Sequence, residues 1–332
     1  MSVPTIRFGR TGLTVSRLAL GTMTFGMQTD EPAAHAILNK AAEAGITFID
    51  TANAYPIGGG HETLGRTEEI VGRWLNGRRA NYILATKAGA VMGPNPWDRG
   101  ASRKHLLDAI DASLRRLRTD YVDLFQLHFD DLATPLEETV EALDTIVKSG
   151  RARYVGVSNF PAWRLATALG RADVKGFFRI ASLQPRYSLL FREIERELLP
   201  LAVAEGLAVI PYNPLAGGML TGKHGTVTTP TPGTRFTVGN SSERYKQRYW
   251  NERMFETVDR FRHLAAEAGV SPTTLAIAWV LANPVVTAPL LGASRASQLD
   301  DTIAAAEYRL DSDLKQALDD LTDEYRFGAA SF

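Results

Sequence analysis

Short apolar runs recur along this chain, each followed by a stretch with the spacing of an amphipathic helix, and the alternation repeats eight times. The runs at residues 17–20, 46–49, 82–86, 121–127, 153–157, 180–183, 207–210 and 285–290 are mostly apolar and end on a polar residue or a turn, as buried strands do. Helices are predicted between them at 31–44, 61–75, 102–118, 134–148, 161–169, 193–204, 252–268 and 271–282. Their ends carry the expected signals: Asp30 and Ser102 as caps, Pro32 and Pro272 in first turns, Gly45 and Gly150 just past the last turn. Two further helices, 295–306 and 311–325, follow the eighth strand, and residues 5–16 alternate around Arg10-Thr11-Gly12 as a hairpin. A long polar insertion, 216–251, follows the seventh strand. The pattern predicts a (β/α)8 TIM barrel with an N-terminal β-hairpin closing its bottom and extra C-terminal helices. With no linker, repeat or low-complexity stretch, residues 1–332 read as one domain.

In a parallel barrel the C-terminal ends of the strands meet at one mouth. Asp50 ends the second predicted strand, Tyr55 lies in the loop beyond it, Lys87 ends the third and His128 the fourth. A free phenol, with a pKa of about 10, is a poor acid at neutral pH. A lysine ammonium within about 4–6 Å is expected to lower that value by about 1–3. Asp50 would keep Lys87 charged, since a buried ammonium needs a partner. His128 is placed to hydrogen-bond the oxygen of a bound carbonyl. Together the four make a site that protonates an alkoxide as hydride arrives on its carbon.

Asp50-Thr51-Ala52-x-x-Tyr55, Lys87 and His128, in that order and on those strand ends, resemble the aldo-keto reductase superfamily. Leu18-Ala19-Leu20-Gly21-Thr22-Met23, Gly156-Val157-Ser158-Asn159 and Gly292-Ala293-Ser294 match as well, so the resemblance runs from about Ile6 to the last helices. It implies NADPH-dependent reduction of aldehydes or ketones, with Asp50, Tyr55, Lys87 and His128 catalytic. It places the nicotinamide carboxamide on Ser158, Asn159 and Gln184 and the ring against Tyr212. Gly21, Thr22, Met23, Asp50, Asn213 and Pro214 line the same cofactor, with the pyrophosphate near Leu215, Gly217 and Lys223 and with Arg235 folding over it. At the adenosine end it places Gly292, Ser294 and Arg295, the last toward a 2′-phosphate, together with Gln298 and Asp301; Thr302 stands where asparagine is common. Read from the residues alone, Ser158 and Asn159 serve equally as caps of the helix at Pro161, and Arg295 as a solvated helix-start residue.

Composition narrows the class. Lysine plus arginine equals aspartate plus glutamate at 37 each, which argues against a nucleic-acid or acidic-membrane partner. There is no cysteine, so disulfides and thiolate metal sites are excluded, and the N-terminus has no apolar core of signal-peptide length. A cytoplasmic protein acting on a small carbonyl substrate is expected. No Gly-x-Gly-x-x-Gly opens a helix after a strand, which disfavours a doubly wound dinucleotide fold. Trp97, Phe129 and Met23 are candidate walls of the substrate pocket, overhung by residues 235–250 of the insertion and by the tail 327–332. The alternative function is a nicotinamide-binding redox sensor or regulatory subunit with little turnover. The reductase-like β subunits of potassium channels are the precedent, and they carry asparagine at the position of His128. A metal-dependent hydrolase on the same barrel is disfavoured, because no His-x-His pair ends the first strand.

Overall fold

The computed structural model describes residues 2–224, 229–239 and 241–328. A hairpin of β1 (Thr5–Arg7) and β2 (Thr14–Ser16) precedes eight parallel strands. These are β3 (Ala19–Gly21), β4 (Phe48–Asp50), β5 (Ile83–Ala88), β6 (Val122–Leu127), β7 (Ala152–Ser158), β8 (Ile180–Gln184), β9 (Ala208–Val209) and β10 (Leu290–Gly292). They pair in the order β10-β3-β4-β5-β6-β7-β8-β9. Hydrogen bonds from Thr287 N–H to the Val209 carbonyl (2.7 Å) and from Leu290 N–H to the Pro211 carbonyl (2.9 Å) close the ring. Helices α1 (Glu31–Glu43), α2 (Arg66–Trp74), α3 (Arg103–Leu117), α4 (Leu136–Lys148), α5 (Ala162–Lys175) and α6 (Leu198–Glu205) follow the first six barrel strands. After β9 come α7 (Ser242–Tyr249), α8 (Glu252–Glu267) and α9 (Pro272–Leu281), and after β10 come α10 (Leu299–Ala304) and α11 (Ser312–Leu321).

Two apolar cores follow from the alternation of side chains along each strand. Outside the ring, strand residues such as Ile49, Leu84 and Phe125 pack against the helices in one continuous cluster. Inside it, at the hairpin end, Phe8, Phe48, Leu124 and Ile210 pack with Ala19, Ala85, Ala208 and Ala288. Phe8 meets Phe48 edge-on, with ring centroids 5.9 Å apart, so the hairpin plugs the bottom of the barrel. Two residues further along the inward face of β5, Ala85 gives way to Lys87, and on β6 Leu124 gives way to Gln126. The register sets Lys87 beside Gln126, and Gly156 beside Ser182. The polar layer is therefore at the C-terminal end, where the loops begin.

Several boundaries differ from those the sequence predicts. The helix expected at 61–75 starts only at Arg66, because Gly65 has φ 84° and separates it from a 3-10 turn at His61–Thr63. Helix α5 runs past residue 169 to Lys175, since Ala168, Leu169 and Ala172 continue its buried stripe across Gly170. The eighth barrel strand is Leu290–Gly292 and not 285–290; prolines 284 and 289 lack the N–H that a ladder needs. The stretches at 193–204 and 295–306 each split into a 3-10 turn and a shorter helix, and α11 ends before Tyr325. The insertion, polar in composition, contains α7, whose Tyr245 and Tyr249 are buried on one face. Residues 225–228, Asn240 and the tail residues 329–332 lie outside the described residues, while Phe327 is exposed beside Arg196. No single described helix is long and apolar enough to cross a membrane.

Helix α2 packs closely against the end of α3 at Gly72. A Cβ on Gly72 would stand 2.5 Å from the Arg116 carbonyl oxygen and 2.8 Å from the Leu117 Cα. Both are backbone atoms that cannot swing aside. Gly72→Ala is expected to cost about 1–3 kcal/mol of stability, the range for an overpacked core. Urea unfolding reads it directly; an unchanged midpoint would show the two helices to be free to separate.

Candidate active site

Asp50 stands at the end of β4 and Lys87 two residues past its neighbour Ala85 on β5, so their side chains meet inside the mouth. The Lys87 ammonium donates to Asp50 Oδ1 at 2.5 Å and to the Thr51 carbonyl at 2.7 Å, and reaches the Tyr55 hydroxyl at 3.3 Å. The chain beyond β4 is tied to β5 by Thr51 N–H to the Ala85 carbonyl and Asn53 N–H to the Lys87 carbonyl. This tether delivers Tyr55 over the ammonium. Both members of the ion pair are fully buried. The other oxygen of Asp50 accepts from the amides of Gln126 (3.0 Å) and Gln184 (2.9 Å).

Electrostatics at the tetrad depart from the sequence expectation in one respect. Burial pushes the Tyr55 phenol above its ordinary value; Lys87 opposes this, and Asp50 adds to it. Desolvation disfavours phenolate more than one ammonium, itself neutralised by Asp50, can favour it. The expected net lowering is thus overturned, and Tyr55 is held as a neutral acid. Burial works against the Lys87 ammonium, but Asp50 and Tyr55 outweigh it and keep the group cationic above its ordinary range. Burial, then Lys87, hold His128 well below the usual histidine range, so its imidazole is neutral at pH 7. The His128 ring stands 5.6 Å from the Tyr55 ring, edge to face, and is stacked on Phe129 at 4.5 Å.

The four tetrad residues are brought together, with Phe129 beside them. Trp97 is 53% exposed on the loop after β5. Of the carboxamide-side residues, Asn159 donates to the His128 carbonyl and to Ser158 Oγ, and its amide oxygen accepts from the Tyr212 hydroxyl at 2.8 Å. Neither Ser158 nor Asn159 caps α5, whose N-cap, Pro161, has no side-chain hydrogen bond. Gly21, Thr22 and Met23 border the mouth beside Asp50, with the Thr22 hydroxyl on the Asp50 carbonyl.

After β9 the chain turns sharply through residues of positive φ, Asn213, Ala216, Gly217 and Gly218. Asn213 pins this turn, accepting from Gly217 N–H and donating to the Tyr249 hydroxyl on α7, while Pro214 is buried and Leu215 half-buried. The Lys223 ammonium lies over Gly218, where a Cβ would stand 3.4 Å from it. Partial burial and the like charges of Arg295 and Arg235 lower the Lys223 pKa, so three cations share one rim. None of the three has a carboxylate partner among the described residues. Gln298 turns back to accept from Ser294 N–H (2.8 Å) and Arg295 N–H (3.3 Å). Gly292 is open to solvent and Asp301 exposed, whereas Thr302 is buried with its hydroxyl on the Leu299 carbonyl.

Two features escaped the sequence reading. Gln126 lies two residues before His128, on the same face of β6, and that spacing was the available signal. Tyr245, on α7, comes near enough to add to the upward push on Tyr55; its i,i+4 pairing with Tyr249 was hidden among arginines.

The chain matches the family model described as "Aldo/keto reductase family" over residues 17–323. It is 41% identical over 321 residues to the uncharacterized oxidoreductase YrpG of Bacillus subtilis, covering 94% of each chain. It is 36% identical to a probable voltage-gated potassium channel subunit beta of Arabidopsis thaliana, over 90% of each. It is also 35% identical to L-glyceraldehyde 3-phosphate reductase of Escherichia coli, over 90% of this chain and 86% of that one.

A neutral buried His128 makes a testable link to pH. Unfolded histidine takes up a proton near pH 6.5, which the folded ring refuses, so stability falls as pH drops below that value. His128→Gln is expected to remove about 1.4 kcal/mol per pH unit of that slope. Urea midpoints between pH 6.5 and 5 read the difference, and parallel profiles for parent and variant would contradict it.

Proposed function

Because the chain belongs to the aldo/keto reductase family, we propose that it is an NADPH-dependent reductase of aldehydes or ketones. One observation carries this reading: a buried, neutral phenol 3.3 Å from a lysine ammonium that is itself paired with a buried carboxylate. That is an acid poised to give up its proton only when negative charge forms beside it.

The residues around the mouth fit a nicotinamide cofactor. Ser158, Asn159 and Gln184 offer the hydroxyl and amides that a carboxamide requires, and Tyr212 offers a flat apolar face. When bound, the nicotinamide would supply hydride for the carbonyl carbon. His128, neutral, donates one ring N–H to the carbonyl oxygen and orients it. Tyr55 donates its proton to the forming alkoxide, and Lys87 stabilises the phenolate left behind. Asp50 keeps Lys87 charged through the cycle. Phe129 gives the pocket an apolar wall, and Trp97 and Met23 are proposed to complete it.

The preference for NADPH over NADH rests on the rim of Lys223, Arg235 and Arg295. Three cations without a carboxylate among the described residues favour a dianionic 2′-phosphate together with the pyrophosphate. A nicotinamide-binding regulatory role, suggested by the name of the Arabidopsis relative, is less well supported, since the proton-donating tetrad is complete.

Steady oxidation of NADPH by a panel of small aldehydes is expected, and its absence would favour the regulatory role. Tyr55→Phe should lower that rate by about 10²–10⁴-fold with cofactor affinity nearly intact, as for loss of a general acid. A fully active variant would end the assignment. Arg295→Ala should raise the NADPH dissociation constant by about ten- to a hundredfold, one lost charge-assisted hydrogen bond, and leave NADH nearly unchanged. Titration of both by quenching of protein fluorescence separates the cases; equal weakening of both would mean that Arg295 does not read the 2′-phosphate.

A further inference from the structure

Asp50 has two oxygens with different company. Oδ1 faces the Lys87 ammonium, and Oδ2 accepts from the amides of Gln126 and Gln184, which also lie 3.4 Å from each other. All four side chains are buried, Gln126 completely. The interior is shaped around this pair of amides. Gly156 lies beside Gln126 on β7, and a Cβ there would stand 3.3 Å from Gln126 Cγ and 2.3 Å from Ser182 Oγ.

The two amides are not equivalent. Gln184 lies at the mouth beside Ser158, among the residues proposed to hold the nicotinamide carboxamide, and its amide donates to Asp50. Gln126 sits a layer deeper, its Nε2 donating to Asp50 and its Oε1 accepting from Gln184. We propose that Gln126 is a positioning residue for the reduction, holding Asp50 Oδ2 so that Oδ1 stays on Lys87 while Gln184 serves the cofactor. Its role in turnover rests on the reductase reading; its hold on Asp50 does not. The charged and titratable groups facing Asp50 are Lys87 on β5 and, across it, Tyr55; His128 ends β6 beyond them. Gln126 supplies the neutral donor that fixes which oxygen each group meets.

The test is a double-mutant cycle of Gln126→Met, which keeps length and removes the donor, with Asp50→Asn. If Gln126 acts through Asp50, Gln126→Met lowers kcat about tenfold in the parent and less than about twofold in the Asp50→Asn background. The NADPH dissociation constant should stay within about twofold in the single variant. Urea midpoints of the cofactor-free proteins should show the same non-additivity, which a merely space-filling glutamine would not give. Effects that add independently in both readouts overturn the proposal. Should Gln126→Met fail to fold, Gln126→Glu completes the same cycle: a second carboxylate against Asp50 must be costly, and much less so against asparagine. A parent that does not reduce carbonyls removes the functional reading, yet the stability cycle still decides whether Gln126 holds Asp50.

Discussion

A fully buried ion pair, Asp50 with Lys87, is the constraint on which the mouth of this barrel depends. Removing two charges from water costs several kcal/mol per ion, recovered only when geometry is good and the remaining hydrogen-bonding positions are filled. Here they are filled. Lys87 also reaches the Thr51 carbonyl and the Tyr55 hydroxyl, and Asp50 has two amides on its free oxygen. These partners come from the segment beyond β4, from β6 and from β8, so satisfying the pair fixes the relative positions of β4, β5, β6 and β8. Tyr55 becomes a neutral phenol held next to a cation, and His128 a neutral imidazole, as consequences of the same burial.

The rest of the molecule maintains that arrangement. Small alanines and interlocked phenylalanines fill the hairpin end, leaving the polar layer at the loop end alone. Above it, the insertion after β9 crosses toward the loop that carries Tyr55. A Cβ on Gly239 would fall 2.7 Å from the Gly58 Cα, so the two segments touch. Tyr245 and Tyr249 anchor this crossing, with Tyr249 accepting from Asn213 at the turn that also positions Lys223. The cation rim and the tetrad are thereby parts of one roof.

Much of this was legible in the chain, and the reasons for the rest are physical. Asp50, Tyr55, Lys87 and His128 could be placed because strand-end polar residues break a strong apolar pattern. Strand and helix order followed from periodicity, but boundaries near Gly65, Gly170 and the prolines around β10 depended on backbone conformation and donor supply that periodicity does not encode. The Tyr55 shift runs opposite to expectation because proximity to a cation is visible in sequence and complete desolvation is not. Gln126 is marked in the chain only by its spacing from His128, and the oxygen it faces, Asp50 Oδ2, is visible only in the fold. Helix α7 was hidden because its two buried aromatics are outnumbered by exposed charges.

The central claim is that a lysine cation beside a neutral phenol makes Tyr55 a usable acid. Single-turnover reduction of an aldehyde by NADPH-loaded Lys87→Met, with folding and cofactor binding checked on the same sample, tests it most directly. Loss of one preorganised charge at a developing anion lowers such rates by about 10²–10³-fold, and a fall of that size with cofactor still bound is expected. Hydride transfer at the parent rate in folded, NADPH-loaded Lys87→Met would contradict the claim.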